Sequence, residues 1–372
     1  MWDKTTIHSR EFAVLVAMFT LGSAILLIPT TIIQEALQDG WISAIIGVCG
    51  SLVLVLIYCG LIRLYPNMNL FHLNEQILGN WMGKGLSFFF LLFFAISSAA
   101  ILRDVGDFIT TQILPGTPIE VVHICFLAIM IYAARLGIVV IARTALMMFP
   151  VVISLYVLIT LLVSPNIEFE NLLPVYSEGW MPIYKGMLPF LAFPFAQLII
   201  ILMFIPNIMN HERVPKAFLC GTLISGIMLA MVVGFTLLVL GPQEAQRSIY
   251  SSYTLAKHVS IGNFLERIEA TTATIWFFTV FIKLSVFFHG TCFGIAQLFK
   301  LNDLKITTLP VAVIIYSFSL GMAPNIVYWT TTVMAAWTPL ALTFGLFIPL
   351  GLLVIALIRR MFSKKTSKQS PV

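Results

Sequence analysis

Lys283 sits near the middle of a long apolar run, with His289 six residues further on. An ammonium in lipid is costly, so a residue in such a place needs a reason to be there. It either occupies a cation site, carries a proton, or bonds to the carbonyls of a broken helix. Arg103, Asp104 and Asp107 form a second charged group, near one end of another apolar run. Arg103 and Asp107 are four apart and can pair on one helical face. His123, at the start of a further run, reads as a satisfied interfacial histidine. Enzymatic chemistry finds no comparable support. The chain has no His-Glu-x-x-His, no phosphate-binding P-loop and no Gly-x-Ser-x-Gly elbow. Ser97 and Ser98 have no His or Asp base at a recognisable spacing. Cys49, Cys59, Cys125, Cys220 and Cys292 lie in or beside apolar runs without a Cys-x-x-Cys, as small buried residues do. No metal set, cofactor or enzymatic activity is expected.

The second signal is helix interruption. One run contains Leu21-Gly22-Ser23-Ala24-Ile25-Leu26-Leu27-Ile28-Pro29. Gly22 lowers helix propensity, and Pro29 removes the amide that would bond to the carbonyl of Ile25. Another contains Pro189 and Pro194, five apart, in Leu188-Pro189-Phe190-Leu191-Ala192-Phe193-Pro194-Phe195-Ala196-Gln197. Unpaired backbone at membrane depth is tolerated only where it lines a cavity or is buried in protein. Half-helix N-termini suit a carboxylate, and freed carbonyls suit an ammonium or a cation. An amino acid carries both groups. The ligand-binding residues expected on these grounds are Gly22, Ser23, Ala24 and Ile25, with Phe193, Pro194, Phe195, Ala196 and Gln197. Arg103, Asp107 and Lys283 are the expected intramembrane charges.

These residues need a membrane-spanning frame, and the composition demands one. Of 372 residues, 59% are hydrophobic and only 10% charged. That is too little charge to coat a water-facing surface, which excludes a soluble globular enzyme and a disordered chain. The net charge of +5 is too weak and scattered for a nucleic-acid module. Apolar runs fall at 12–33, 42–62, 86–107, 119–134, 139–163, 186–206, 216–240, 270–298, 307–323 and 335–358. They are apolar all round, without the period-two alternation of a barrel. The expectation is an all-α integral membrane protein of ten transmembrane helices. With the N-terminus in the cytoplasm, fifteen Lys and Arg fall in cytoplasmic segments and four in external loops. Both termini are then cytoplasmic. Residues 1–163 and 186–358 form two five-span halves of opposite orientation, joined by an external loop at 164–185. Residues 359–372 form a basic cytoplasmic tail. The broken runs are the first of each half, and interrupted helices at matching places of inverted repeats point to a midplane site. A second external segment, 241–268, has room for a short surface helix.

Four stretches together resemble the B-subunit family of spore-germination nutrient receptors, within the amino acid–polyamine–organocation transporter superfamily. They are Leu21-Gly22-Ser23-Ala24 through Pro29; Asp39-Gly40-Trp41-Ile42; Asn171-Leu172-Leu173-Pro174-Val175 with Glu178-Gly179; and Phe264-Leu265-Glu266-Arg267-Ile268-Glu269. The similarity covers nearly the whole chain. Two departures stand out: Ala24 where the family often has a second Gly, and Pro194-Phe195-Ala196-Gln197 where many members have Pro-Phe-Gly-Glu. The resemblance implies a LeuT-like 5+5 inverted-repeat fold in which spans one, three, six and eight line a small-molecule pocket, which adds Ser97 and Ser98 of span three to the expected ligand-binding residues. It implies residence in the inner membrane of a bacterial spore, an A-subunit and a lipoprotein C-subunit as partners, and a role in triggering germination by a nutrient such as an amino acid. An active amino-acid/cation symporter of the same fold is the alternative, and a scaffold with a vestigial pocket a third reading.

Overall fold

The protein is described by a computed structural model that covers residues 6–258 and 268–367. Among these residues it is almost entirely helical. The first apolar run is two helices, α1 (Ser9–Leu21) and α2 (Ala24–Ala36), separated at Gly22-Ser23. A 3₁₀ turn, Leu37–Asp39, leads into α3 (Gly40–Leu64). A short helix α4 (Leu70–Leu78), capped by the Asn69 side chain, then precedes α5 (Asn80–Phe108). The sequence reading had only a break where α4 lies. α6 (Ile119–Leu136) and α7 (Ile138–Val163) meet at Gly137, whose φ of 95° suits a residue without Cβ.

The sixth run starts earlier than expected, as α8 (Trp180–Phe190). It passes through a π turn at Leu191–Phe195 and a 3₁₀ stretch at Ala196–Asn207. This agrees with Pro189 and Pro194, each of which removes an amide from the helical ladder. α9 (Val214–Arg247) is kinked at Gly241. α10 (Ser251–Lys257) is a short helix in the second long loop, and α11 (Glu269–Leu298) and α12 (Lys305–Gly321) follow. The last run begins at Ile326 rather than at 335. It comprises the single turn α13 (Ile326–Tyr328), a π turn, α14 (Met334–Leu342), a second π turn at Thr343–Phe347, and α15 (Ile348–Ser367).

Eight helical stretches among the described residues are long and apolar enough to cross a membrane. One of them, Ala24–Leu64, runs through two of the expected spans, and Lys305–Gly321 is a shorter apolar helix of 17 residues. All ten expected runs therefore lie on helices, though length alone singles out fewer crossings. The protein is a multi-pass membrane protein. Its centre is built from the two broken runs, in which residues 14–30 and 189–205 are buried throughout. Their ends are stitched together where Ile7 N–H donates to Asn207 O at 2.8 Å and Met209 N–H to Ile7 O at 2.9 Å.

Two of the stretches behind the family resemblance do structural work away from the centre. Asp39 accepts the Tyr176 amide at 2.9 Å, and Gln38 Nε2 donates to Pro174 O at 3.1 Å. Asn171 Nδ2 donates to Leu238 O at 3.1 Å, beside the Gly241 kink. Residues 264–267 of the fourth stretch lie outside the described residues, as do Lys4 and the end of the basic tail.

Candidate functional site

The break in the first run is held open by a side chain from α11. A Cβ at Gly22 would overlap Lys283 Cδ, so the missing side chain is what admits the lysine stem. One turn earlier on α11, Thr279 donates to Gly22 O at 3.3 Å. Lys283 is fully buried. Its Nζ has no hydrogen-bond partner among the described residues and stands over aromatic faces, 4.8 Å from the Phe193 ring centre and 5.7 Å from that of Phe19. This corrects the expectation that a structural lysine here would bond to carbonyls of a broken helix. The ammonium is held by ring quadrupoles instead. Gly22, Phe19, Phe193 and Lys283 thus bring runs one, six and eight together.

Two other polar atoms at the breaks are unpaired. Ser23 Oγ and Gln197 Oε1 are buried without a hydrogen-bond partner among the described residues. Buried polar groups are nearly always paired, so each exception calls for an explanation. Ala24 and Ile25 open α2 and are buried, as are Pro194, Phe195 and Ala196. The Ala196 carbonyl accepts from Tyr58 Oη at 3.3 Å, and Gly345 of the last run lies against the Ala196 backbone. Ser97 and Ser98 are buried, but their hydroxyls donate to Phe93 O at 2.7 Å and Phe94 O at 2.9 Å in their own helix.

The charged group on α5 forms a built network. Arg103 Nε pairs with Asp107 Oδ2 at 2.9 Å, and Arg103 Nη1 donates to Ala323 O at 2.7 Å, which ties α5 to the start of the last run. Asp104 Oδ1 accepts from Trp329 Nε1 at 2.8 Å. Asp104 and Lys283 are both buried and form no ion pair with each other among the described residues. His123 meets its expectation on one nitrogen only: Nδ1 lies 3.1 Å from Ser319 Oγ, and Nε2 has no hydrogen-bond partner among the described residues.

The carbonyl orphaned by Pro29 has a partner that no local rule supplies. Ser252 Oγ, on α10, donates to Ile25 O at 2.8 Å. Beside it, Thr30 Oγ1 and Ser251 Oγ are 2.8 Å apart. Phe108 packs edge-on against Tyr250 and Tyr253, and its ring lies 4.5 Å from that of Trp276. α10 thus packs against α2 of the broken first run. At the opposite end of the bundle a cavity of about 360 Å³ is bordered by Arg135, Gly137, Phe204, Asn207, His289 and Lys305. Sequence reasoning missed Ser252, Trp276 and Trp329. The available signal was indole N–H in apolar runs, since a buried Trp usually needs an acceptor.

Comparison with known proteins bears on the family and the fold. A family model described as spore germination protein matches residues 6–327. Spore germination protein KB of Bacillus subtilis (strain 168) is 27% identical over 368 residues, covering 98% of each chain. Spore germination protein YndE of the same organism is 25% identical over 305 residues, 80% of this chain and 83% of that one. Among solved structures, the nucleobase-cation-symport-1 family transporter Mhp1, closed with bromovinylhydantoin bound, superposes with a TM-score of 0.61. That match covers 91% of this chain and 77% of Mhp1 at 14% identity, so it shows the fold alone. The inward-facing form of Mhp1 gives 0.56 over 95% and 76% of the two chains. The fold is LeuT-like, as expected.

Proposed function

The chain belongs to the spore germination protein family, and from that premise we propose that it is the nutrient-sensing membrane subunit of a germination receptor, binding a small molecule at mid-membrane between the two broken helices. The observation that carries this reading is the set of unpaired buried atoms Ser23 Oγ, Gln197 Oε1 and Lys283 Nζ, one on each of the first, sixth and eighth runs. An acceptor, a hydroxyl and a cation without partners make a site that gains free energy when a polar ligand supplies them. The ligand acts by favouring one conformer, and it can shift the equilibrium only by its differential affinity for the two states. α10 is the element best placed to differ between states, because it packs against the broken first run through Ser252 and Ile25. The shift then passes to A- and C-type partner subunits in the spore inner membrane, with both termini of this chain in the cytoplasm.

The test uses spores in which this chain is the sole B-type subunit. Ser23→Ala combined with Gln197→Leu is expected to raise the nutrient concentration for half-maximal germination about tenfold or more, at unchanged protein level. An unchanged concentration dependence would remove the site from this place. The second reading is an active amino-acid/cation symporter of the same fold. Accumulation of labelled nutrient in energised vesicles containing the receptor would establish that reading.

A further inference from the structure

The cavity at the end of the bundle away from α10 lies outside the mid-membrane site. Its volume, about 360 Å³, is within the range of small-molecule pockets. Four parts of the chain close around it: residues 134–138 at the α6–α7 junction, Phe204 and Asn207 at the end of broken run six, His289 and Phe293 on α11, and residues 302–305 leading into α12. Two cations border it, Arg135 and Lys305. Both are held at the first turn of α12. Arg135 Nε donates to Thr308 Oγ1 at 3.2 Å, and Thr308 Oγ1 donates to Lys305 O at 2.8 Å. Thr308 is fully buried, so the anchor of the guanidinium belongs to the core. Neither cation has a carboxylate partner among the described residues. Asp303 is the acidic residue of the lining, and its Oδ1 accepts the Lys305 amide at 2.9 Å instead. A guanidinium bonded to a neutral hydroxyl through Nε keeps its two Nη groups for another acceptor. The same cavity is bordered by Ile138, where α7 begins behind Gly137. Gly137 has no side chain to cap the helix, and no acidic residue lies in the first turn of its 26 residues. The leading amides and the helix dipole there favour negative charge. Two neighbouring cations without a counter-charge and an uncapped helix start call for an anion.

We propose that this cavity is a binding site for a phosphate group, with Arg135 and Lys305 as its cations and the first amides of α7 as further donors. A carboxylate has two oxygens, and a guanidinium fork occupies both. A phosphate has oxygens left over for the ammonium and the amides. Asn207 links the site to the centre of the protein. It borders the cavity, and its carbonyl accepts the Ile7 amide at 2.8 Å where the two broken runs are tied together. A phosphate here therefore bears on the end of run six from outside the nutrient pocket. Two sources carry the same chemistry, a free phosphate from the aqueous phase and the headgroup of an anionic lipid.

Thermal unfolding of the purified full chain in neutral detergent micelles tests this, because a ligand of the folded state raises the midpoint. One arm titrates inorganic phosphate at an ionic strength held constant with chloride. The other titrates dihexanoyl phosphatidic acid, with dihexanoylglycerol as its phosphate-free control. A saturable rise is expected in at least one arm, and the arm that shows it names the source. Lys305→Gln is expected to raise the apparent Kd about tenfold or more. It should leave the midpoint without ligand unchanged or higher, since it relieves repulsion between the cations. Arg135→Lys keeps the charge but loses the fork, and a similar loss of affinity is expected. Lys300→Gln removes an exposed cation outside the lining and should leave the affinity as it was. Four results would overturn the proposal: no saturable rise in either arm, a rise confined to the lipid arm that dihexanoylglycerol matches, parent affinity in Lys305→Gln or Arg135→Lys, or an equal loss of affinity in Lys300→Gln.

Discussion

A methyl group at Gly22 is the most direct probe of how the break is filled. Its carbon would overlap Lys283 Cδ and stand 3.0 Å from Lys283 Cβ and 2.9 Å from the Phe19 carbonyl oxygen. The lysine stem has little room to retreat, because the residue is fully buried and its head lies against Phe193. Overpacking of this kind costs about 1–3 kcal/mol. Stretching the Thr279–Gly22 hydrogen bond, already 3.3 Å, adds to it. Gly22→Ala is therefore expected to destabilise the protein by about 2–3 kcal/mol. Lys283→Ala removes the stem beyond Cβ, including the overlapping atom. In that background the contact with Phe19 O and a relaxed one with Cβ remain, and the same methyl should cost about 1 kcal/mol. The double-mutant cycle should thus show a coupling of about 1–2 kcal/mol in the compensating direction. Unfolding of the purified protein by SDS in mixed micelles measures all four corners. Strict additivity would refute the reasoning, since it would mean that the stem does not occupy the space Gly22 leaves.

Four further outcomes are expected. Lys283→Met should abolish the germination response at near-normal protein level, and Lys283→Arg should restore it only in part because the guanidinium is larger and planar; normal function in Lys283→Met would show the ammonium to be dispensable. If Lys283 acts as a fixed cation, the response should also be independent of sodium, which replacement by choline tests directly. Ser252→Ala strips the Ile25 carbonyl of its donor in a buried place and should cost about 1–3 kcal/mol in the same SDS titration, with no change expected if water reaches that carbonyl. Tags at residues 1 and 372 should be unreachable by membrane-impermeant reagents in intact cells, given the distribution of Lys and Arg among the loops; labelling of either from outside would reject the assigned topology.

What the sequence determined by itself was negative and local. Pro29, Pro189 and Pro194 lack an amide, so breaks in two apolar runs were readable without any structure. A lysine in the middle of an apolar run had to be special for the same kind of reason, the cost of a charge in lipid. Pairing of Arg103 with Asp107 follows from helical spacing, and the structure contains it. The π turns of the last run left no such mark, because a helix that is apolar all round has no periodicity to be disturbed. Only the tertiary structure decided which groups meet the ones left over. Ile25 O is bonded by a serine 227 residues away, and Asp104 by a tryptophan 225 residues away. Lys283 passes through the gap that Gly22 leaves and ends over Phe193 rather than at a carbonyl. A missing amide or a buried charge is a property of one residue and its neighbours in the chain. The partner that completes it is chosen by which helices pack together, and no spacing within the sequence carries that information.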